Sequence, residues 1–294
     1  MIAGLAAGLF LPGLAALLKP WVAHLVVLLL LMTAFRIGPR AATYGLANIG
    51  ATLRIVLVLQ MGVPLAALAV LGALGVADTT YAVAVVLMLS APSMSGCPNL
   101  VVMAGAKPEP AFRLLLGTLL LPLTMISVFW LSPQLGDFYQ ALWGSFRLIC
   151  VIGLAIFAGN VLRALTAPEL TAAQPEAADG LMALALVVIV IGLMGGLGPT
   201  MLHTPSQAAV WMMLAVSACL GMQVMSFILL RKTGYRTDAV PILIVAGNRN
   251  VALSLVSMPP DRVDPLMIFL GCYQIPMYLT PILMRRLFGS TGKS

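Results

Sequence analysis

Gly247-Asn248-Arg249-Asn250 interrupts an apolar run that opens at Pro241 and continues through Val256. Two amides and a permanent cation therefore stand where the neighbours on both sides are Ile, Leu, Val and Ala. Arg249 lies eight residues past Pro241, which is about 12 Å of helical rise. A guanidinium at that depth of a bilayer costs at least about 2.5–3.5 kcal/mol, so it needs a partner. The nine acidic residues (Asp78, Glu109, Asp137, Glu169, Glu176, Asp179, Asp238, Asp261 and Asp264) all fall at the edges of apolar runs or between them. The partners that remain are backbone carbonyls, neighbouring amides and hydroxyls, or an anion that enters from outside. A guanidinium pinning broken backbone and a guanidinium facing a ligand are both open readings, and one residue can do both.

A second interruption reads Met88-Leu-Ser-Ala-Pro-Ser-Met-Ser-Gly-Cys-Pro-Asn99. Pro92 and Pro98 each remove a backbone donor and Gly96 adds conformational freedom. Ser93, Ser95 and Asn99 are the polar groups at hand to satisfy freed backbone or to hold a ligand. Opened backbone at membrane depth survives only when buried in protein or lining a watery cavity. The plain alternative is a proline-kinked helix. Gln60, Thr118, Asn248 and Asn250 complete the set of candidate substrate- or ion-binding residues. For Gln60 and Thr118 the competing role is bonding within or between helices.

These side chains need a membrane-spanning scaffold, and the composition requires one. Of 294 residues, 61% are hydrophobic and only 9% charged, with a mean hydropathy of +1.07. Soluble domains are about 25% charged, and a chain this apolar lacks the polar skin a water-soluble fold needs. A soluble enzyme, a nucleic-acid binder and a disordered chain are excluded on that ground. With about 20 apolar residues per crossing, the spacing predicts ten spans. They cover 2–18, 21–36, 53–75, 80–105, 110–132, 146–166, 181–201, 208–230, 239–259 and 265–284. Ile2–Leu18 has no basic leader and is interrupted by Pro12, so it reads as a retained first span rather than a signal peptide. The chain is expected to form one transmembrane domain over 1–294.

The basic residues divide cleanly over this topology. Arg36, Arg40, Arg54, Lys107, Arg113, Arg163, Arg231, Lys232, Arg236, Arg285, Arg286 and Lys293 fall on one side. Lys19, Arg147 and Arg262 fall on the other, and Arg249 on neither. Cytoplasmic loops carry the excess of Lys and Arg, which puts both termini in the cytoplasm of a cell (bacterial inner) membrane. The one long polar connection, from about Thr166 to Gly180, splits the chain near its middle into repeats of about 1–133 and 145–288. Five spans is an odd number, so a duplicated unit must be inverted relative to its copy. The two interrupted spans are the fourth of each half.

Other chemistries find little support. Cys97, Cys150, Cys219 and Cys272 are widely spaced within apolar runs, which fits neither a disulfide framework nor a metal site. No glycine-rich run precedes a Lys-Ser/Thr pair, so nucleotide-driven transport in this chain is excluded. No enzyme, no resident cofactor and no nucleic-acid partner is expected.

Val245-Ala-Gly-Asn-Arg-Asn250 and the Pro92–Asn99 stretch resemble the signatures of the bile acid:sodium symporter family. In that family the ninth helix carries Glu-x-Gly-x-Gln-Asn and the fourth a Pro-Gly-Gly-x-x-Ser-Asn type stretch. Leu11-Pro-Gly-Leu-Ala-Ala-Leu-Leu-Lys-Pro20 with Leu30-Leu-Met32 is similar to the first two helices, and Gly117–Thr124 to the fifth. The resemblance implies an all-α fold of ten helices in a five-plus-five inverted repeat, with a panel, a core, and discontinuous fourth and ninth helices that cross. The family's ninth-helix glutamate and glutamine, which help coordinate sodium, are Val245 and Arg249 here. A guanidinium keeps its charge and repels a sodium ion about 4 Å away by several kcal/mol at an effective dielectric near 20.

The expectation is therefore a secondary transporter or uniporter of a small organic anion, not coupled to sodium through the usual sites. In it the Arg249 head group takes the place of the ion, beside Ser95, Asn99, Thr118, Asn248, Asn250 and Gln60. A sodium-coupled symporter with relocated ligands, and a non-transporting receptor or structural protein that kept the fold, are the alternatives.

Overall fold

The computed structural model describes residues 2–37, 49–120, 138–166, 173–230, 238–254 and 266–291. Every secondary-structure element among them is helical, and five stretches are long and apolar enough to cross a membrane: Pro12–Phe35, Ile49–Ala73, Leu142–Thr166, Gly180–His203 and Pro205–Leu230. Shorter apolar helices run over Thr80–Ser90 and Met267–Leu283. The chain is an all-α protein with the composition and helix lengths of a membrane protein.

In chain order the helices are α1 Ile2–Phe10, α2 Pro12–Leu18, α3 Val22–Ile37, α4 Ile49–Leu57, α5 Val63–Ala73, α6 Thr80–Ser90, α7 Cys97–Met103 and α8 Glu109–Leu120. They continue as α9 Phe138–Thr166, α10 Ala173–Leu193, α11 Leu197–His203, α12 Pro205–Leu230, α13 Ala239–Gly247, α14 Val251–Ser254, α15 Met267–Leu283 and α16 Arg285–Thr291. Short 3-10 turns join α2 to α3 and α10 to α11, and a π-turn over Val58–Gly62 joins α4 to α5. Local chemistry sets several ends. The Thr79 hydroxyl accepts the Ala82 N–H at the start of α6, as an N-cap should. Gly75, at φ +70°, takes the left-handed position just past the end of α5.

The first boundary is not where the charges placed it. Spans 2–18 and 21–36 were expected to divide at Lys19-Pro20, yet the helical run continues from Pro12 to Ile37 through a 3-10 turn at Lys19–Trp21. The chain reverses at Leu11 instead. Gly4 lies against Val187 and Gly8 against Met194, after which Ala15 meets Gly195 and Val22 meets Gly192. So α1 runs along α10 in one direction and α2–α3 returns along it in the other. Pro12 is the cause: at the first turn of a helix proline sacrifices no hydrogen bond, so it opens α2, while Pro20 is absorbed within the continuing run. The polar connection is also shorter than expected, because α10 is already helical from Ala173. Its residues 167–172, the second parts of the expected fifth and ninth spans, and Asp137, Glu169, Asp261 and Asp264 lie outside the described residues.

Two groups of helices pack closely. In one, α1, α2 and α3 lie on α10, and α3 also lies on α9. There Gly159 approaches the Leu31 carbonyl so nearly that a Cβ would stand 2.5 Å from it. In the other, α12 packs on α13 and α15, α13 on α7 and α8, and α4 on α8. The second group contains both interrupted segments.

Candidate functional site

The two interruptions meet. Helix α6 stops at Ser90 because Pro92 drives Ala91 to extended backbone, φ −62° and ψ 149°. Helix α13 stops at Gly247, and Asn248 is extended as well. The extended pieces pair antiparallel: the Met94 N–H donates to the Asn248 carbonyl at 3.0 Å, and the Asn250 N–H donates to the Pro92 carbonyl at 2.7 Å. Ser93 faces Arg249 across this bridge. The discontinuous segments therefore cross at the residues singled out from the sequence.

Arg249 is 1% exposed. Its Nε donates to the Ala246 carbonyl at 3.1 Å, Nη1 to Ala91 at 3.3 Å and Nη2 to Leu59 at 3.1 Å. Each acceptor is a carbonyl that its own helix leaves over. The usual donor to Ala246 is the Asn250 N–H, which is committed to Pro92. Ala91 ends α6, and the chain beyond it is no longer helical. At Leu59 the π-turn sends the Val63 N–H back to Val58, and the next donor in line would be Pro64, which has none. Two of the three carbonyls belong to helix C-terminal ends, the negative pole of the helix dipole. The result is a carbonyl seat for a cation, filled by a guanidinium from the chain itself.

The pinning role of Arg249 is visible in the described conformation. The guanidinium pins three pieces of backbone, and no carboxylate among the described residues pairs with it. The head group is buried among the carbonyls it satisfies.

Hydroxyls hold the crossing from both sides. Thr118 Oγ1 accepts the Ser93 N–H at 3.1 Å and donates to Leu115 at 2.8 Å. Tyr273 OH accepts the Arg249 N–H at 2.8 Å and donates to the Gly247 carbonyl at 2.6 Å. Gln60 donates through Nε2 to the Thr118 carbonyl at 3.2 Å. Ser93 Oγ donates to Cys97 Sγ at 3.4 Å.

Of the eight candidates, Gln60, Ser93, Thr118, Asn248 and Arg249 are buried together around the crossing. Ser95 and Asn250 are half-buried, and Asn99 is exposed on α7. Asn250 also has local work, since its Oδ1 accepts the Leu253 N–H at 3.3 Å and caps α14. Three partners were not anticipated: Tyr273, Gln223 and Thr280. The Thr280 hydroxyl donates to Asn248 Oδ1 and accepts from Gln223 Nε2, both at 3.1 Å. A glutamine in the middle of the apolar Pro205–Leu230 run was the available signal, since polar groups at that depth seldom lack a function.

At the end of the seam between α4, α8 and α13 a cavity is lined by Thr52, Ile55, Pro110, Arg113, Leu114 and Asp238. Arg113 Nη2 meets Asp238 Oδ2 there at 3.2 Å. The four cysteines are free thiols.

No protein-family model matches the chain, and no curated protein matches it either. The functional reading therefore rests on the geometry.

Proposed function

We propose that the chain is a secondary transporter or uniporter of a small organic anion that works by alternating access and carries its own cation in place of sodium. In this reading it forms ten membrane-embedded segments in a five-plus-five inverted repeat within a bacterial inner membrane, the first being the short α1 that turns at Leu11, with both termini in the cytoplasm. The carrying observation is the Arg249 guanidinium seated among the Leu59, Ala91 and Ala246 carbonyls where two broken segments cross. Helix C-terminal ends and unwound carbonyls of discontinuous helices are where such transporters coordinate coupling ions. A covalently attached cation in that seat supplies the charge that lets the broken backbone close, and leaves no charge deficit for sodium to fill.

The repeat has local support. The pair Met94 N–H to Asn248 and Asn250 N–H to Pro92 is symmetric about the Ser93–Arg249 bridge. Thr118 lies twenty-five residues after Ser93 and Tyr273 twenty-four after Arg249, and each gives its hydroxyl to the N–H of its bridge residue. An inverted duplication places fifth-helix hydroxyls in just this relation. The substrate carboxylate or sulfonate is assigned to the accessible side of the crossing, at Ser95, Asn99 and Asn250, with Arg249 acting through its field rather than by contact.

The test is uptake into proteoliposomes. Small organic acids enter with choline in place of sodium, and Arg249→Gln abolishes the flux. Uptake by the wild type that needs a sodium gradient would overturn the reading and select the sodium-coupled alternative. Absence of any uptake or binding across a broad anion set would select a non-transporting protein.

A further inference from the structure

Asn248 is held from below by a ring of neutral groups. Gln223 Nε2 donates to Thr280 Oγ1 at 3.1 Å and to Cys219 Sγ at 3.8 Å. The Thr280 hydroxyl and the Cys219 thiol in turn point to Asn248 Oδ1, at 3.1 and 3.8 Å. Thr280 also lies 3.0 Å from the Pro276 carbonyl. Asn248 and Gln223 are both 0% exposed. The ring uses one atom of each amide and leaves the other: Asn248 Nδ2 and Gln223 Oε1 have no protein partner. Turning an amide over exchanges its oxygen and nitrogen without supplying one, so each amide keeps a polar atom to satisfy in either orientation.

A buried polar atom without a partner costs about 1–3 kcal/mol, and two on amides that share one hydroxyl are seldom left so. Helix α12 cannot retreat from the break to hide them, since it lies directly on Gly247. A Cβ there would stand 2.5 Å from the Cys219 carbonyl and from Gln223 Cγ. The chemistry selects the occupant. One free atom donates and the other accepts, no carboxylate belongs to the ring, and the fixed charge of Arg249 is on the adjacent residue. In this orientation the combination fits a small neutral molecule that both donates and accepts, and the charge of Arg249 on the adjacent residue disfavours a cation.

We propose that Asn248 Nδ2 and Gln223 Oε1 hold one buried water molecule beneath the break at Gly247-Asn248. The water completes the polar ring, so that the two amides beside the opened backbone are satisfied by solvent bound in place. The site is separate from the anion site and does not rest on transport, so a protein that moved no solute would test it equally well.

The experiment is a structure of the full chain at a resolution that shows ordered water, with rubidium replacing sodium throughout. The expected result is a water-sized peak within hydrogen-bond reach of both amides, without anomalous scattering from rubidium, and its loss in Gln223→Met. A rubidium peak at that place, an empty map with the amides bonded elsewhere, or a peak that persists in Gln223→Met would each overturn the proposal. The wild-type map alone decides if the variant does not fold.

Discussion

Ser93 and Arg249 face one another where two broken segments cross, and a hydroxyl from a different helix takes the backbone N–H of each. Thr118 Oγ1 serves Ser93 and Tyr273 OH serves Arg249. Thr118→Val and Tyr273→Phe each remove an acceptor from a buried N–H, a loss of about 1–3 kcal/mol. Both variants are expected to melt lower in detergent by similar amounts, as equivalent positions of the proposed repeat should. Thermal unfolding followed by tryptophan fluorescence checks this. A large effect at one position and none at the other would argue against their equivalence.

Arg249→Gln leaves the buried carbonyls of Leu59, Ala91 and Ala246 without the group that satisfies them. It is expected to cost more than either hydroxyl variant, because charge-assisted bonds are roughly twice as strong as neutral ones. Arg249→Lys keeps a charge but loses the planar fork, so it should recover part of the stability. The order wild type, lysine, glutamine in melting temperature is the readout.

Pro64→Ala tests why the Leu59 carbonyl is available. A proline inside a helix costs about 3 kcal/mol, and its removal restores a donor next to the π-turn. Stability of the variant should hold or rise, while under the proposed transport function uptake should fall because the carbonyl is drawn back into its own helix and away from Nη2. Uptake and melting temperature moving in opposite directions is the expected signature; a parallel fall would count against it.

Gly247→Ala puts a Cβ 2.5 Å from the Cys219 carbonyl and is expected to prevent stable expression. Gly153→Ala, in α9 with open space around the position, should be tolerated or gain about 0.5–1 kcal/mol from reduced backbone entropy. Size-exclusion profiles of the two proteins compare them directly.

Much of the site was legible because helix breakers and polar residues at membrane depth are rare and expensive. Gly247-Asn248-Arg249-Asn250 and Pro92 to Pro98 could not continue an apolar helix, and the structure breaks both segments there. The partner of Arg249 was harder to read, since carbonyls have no sequence signature of their own. Pro64 was the one local sign that Leu59 would be left over, and it becomes meaningful only with the π-turn beside it. Tyr273 and Thr280 are not legible in the sequence because residues on a continuous helix announce nothing by spacing alone. The first boundary is not legible by spacing, because Lys19-Pro20 has the charge and the breaker of a loop, whereas Pro12 starts the helix.

The central claim is that the cation seat at the crossing is already occupied by the chain. Equilibrium binding of radiosodium to purified protein measures this most directly, with the organic acid present and absent. The account predicts no saturable binding to the wild type in either condition. Saturable sodium binding that the organic acid strengthens would contradict it.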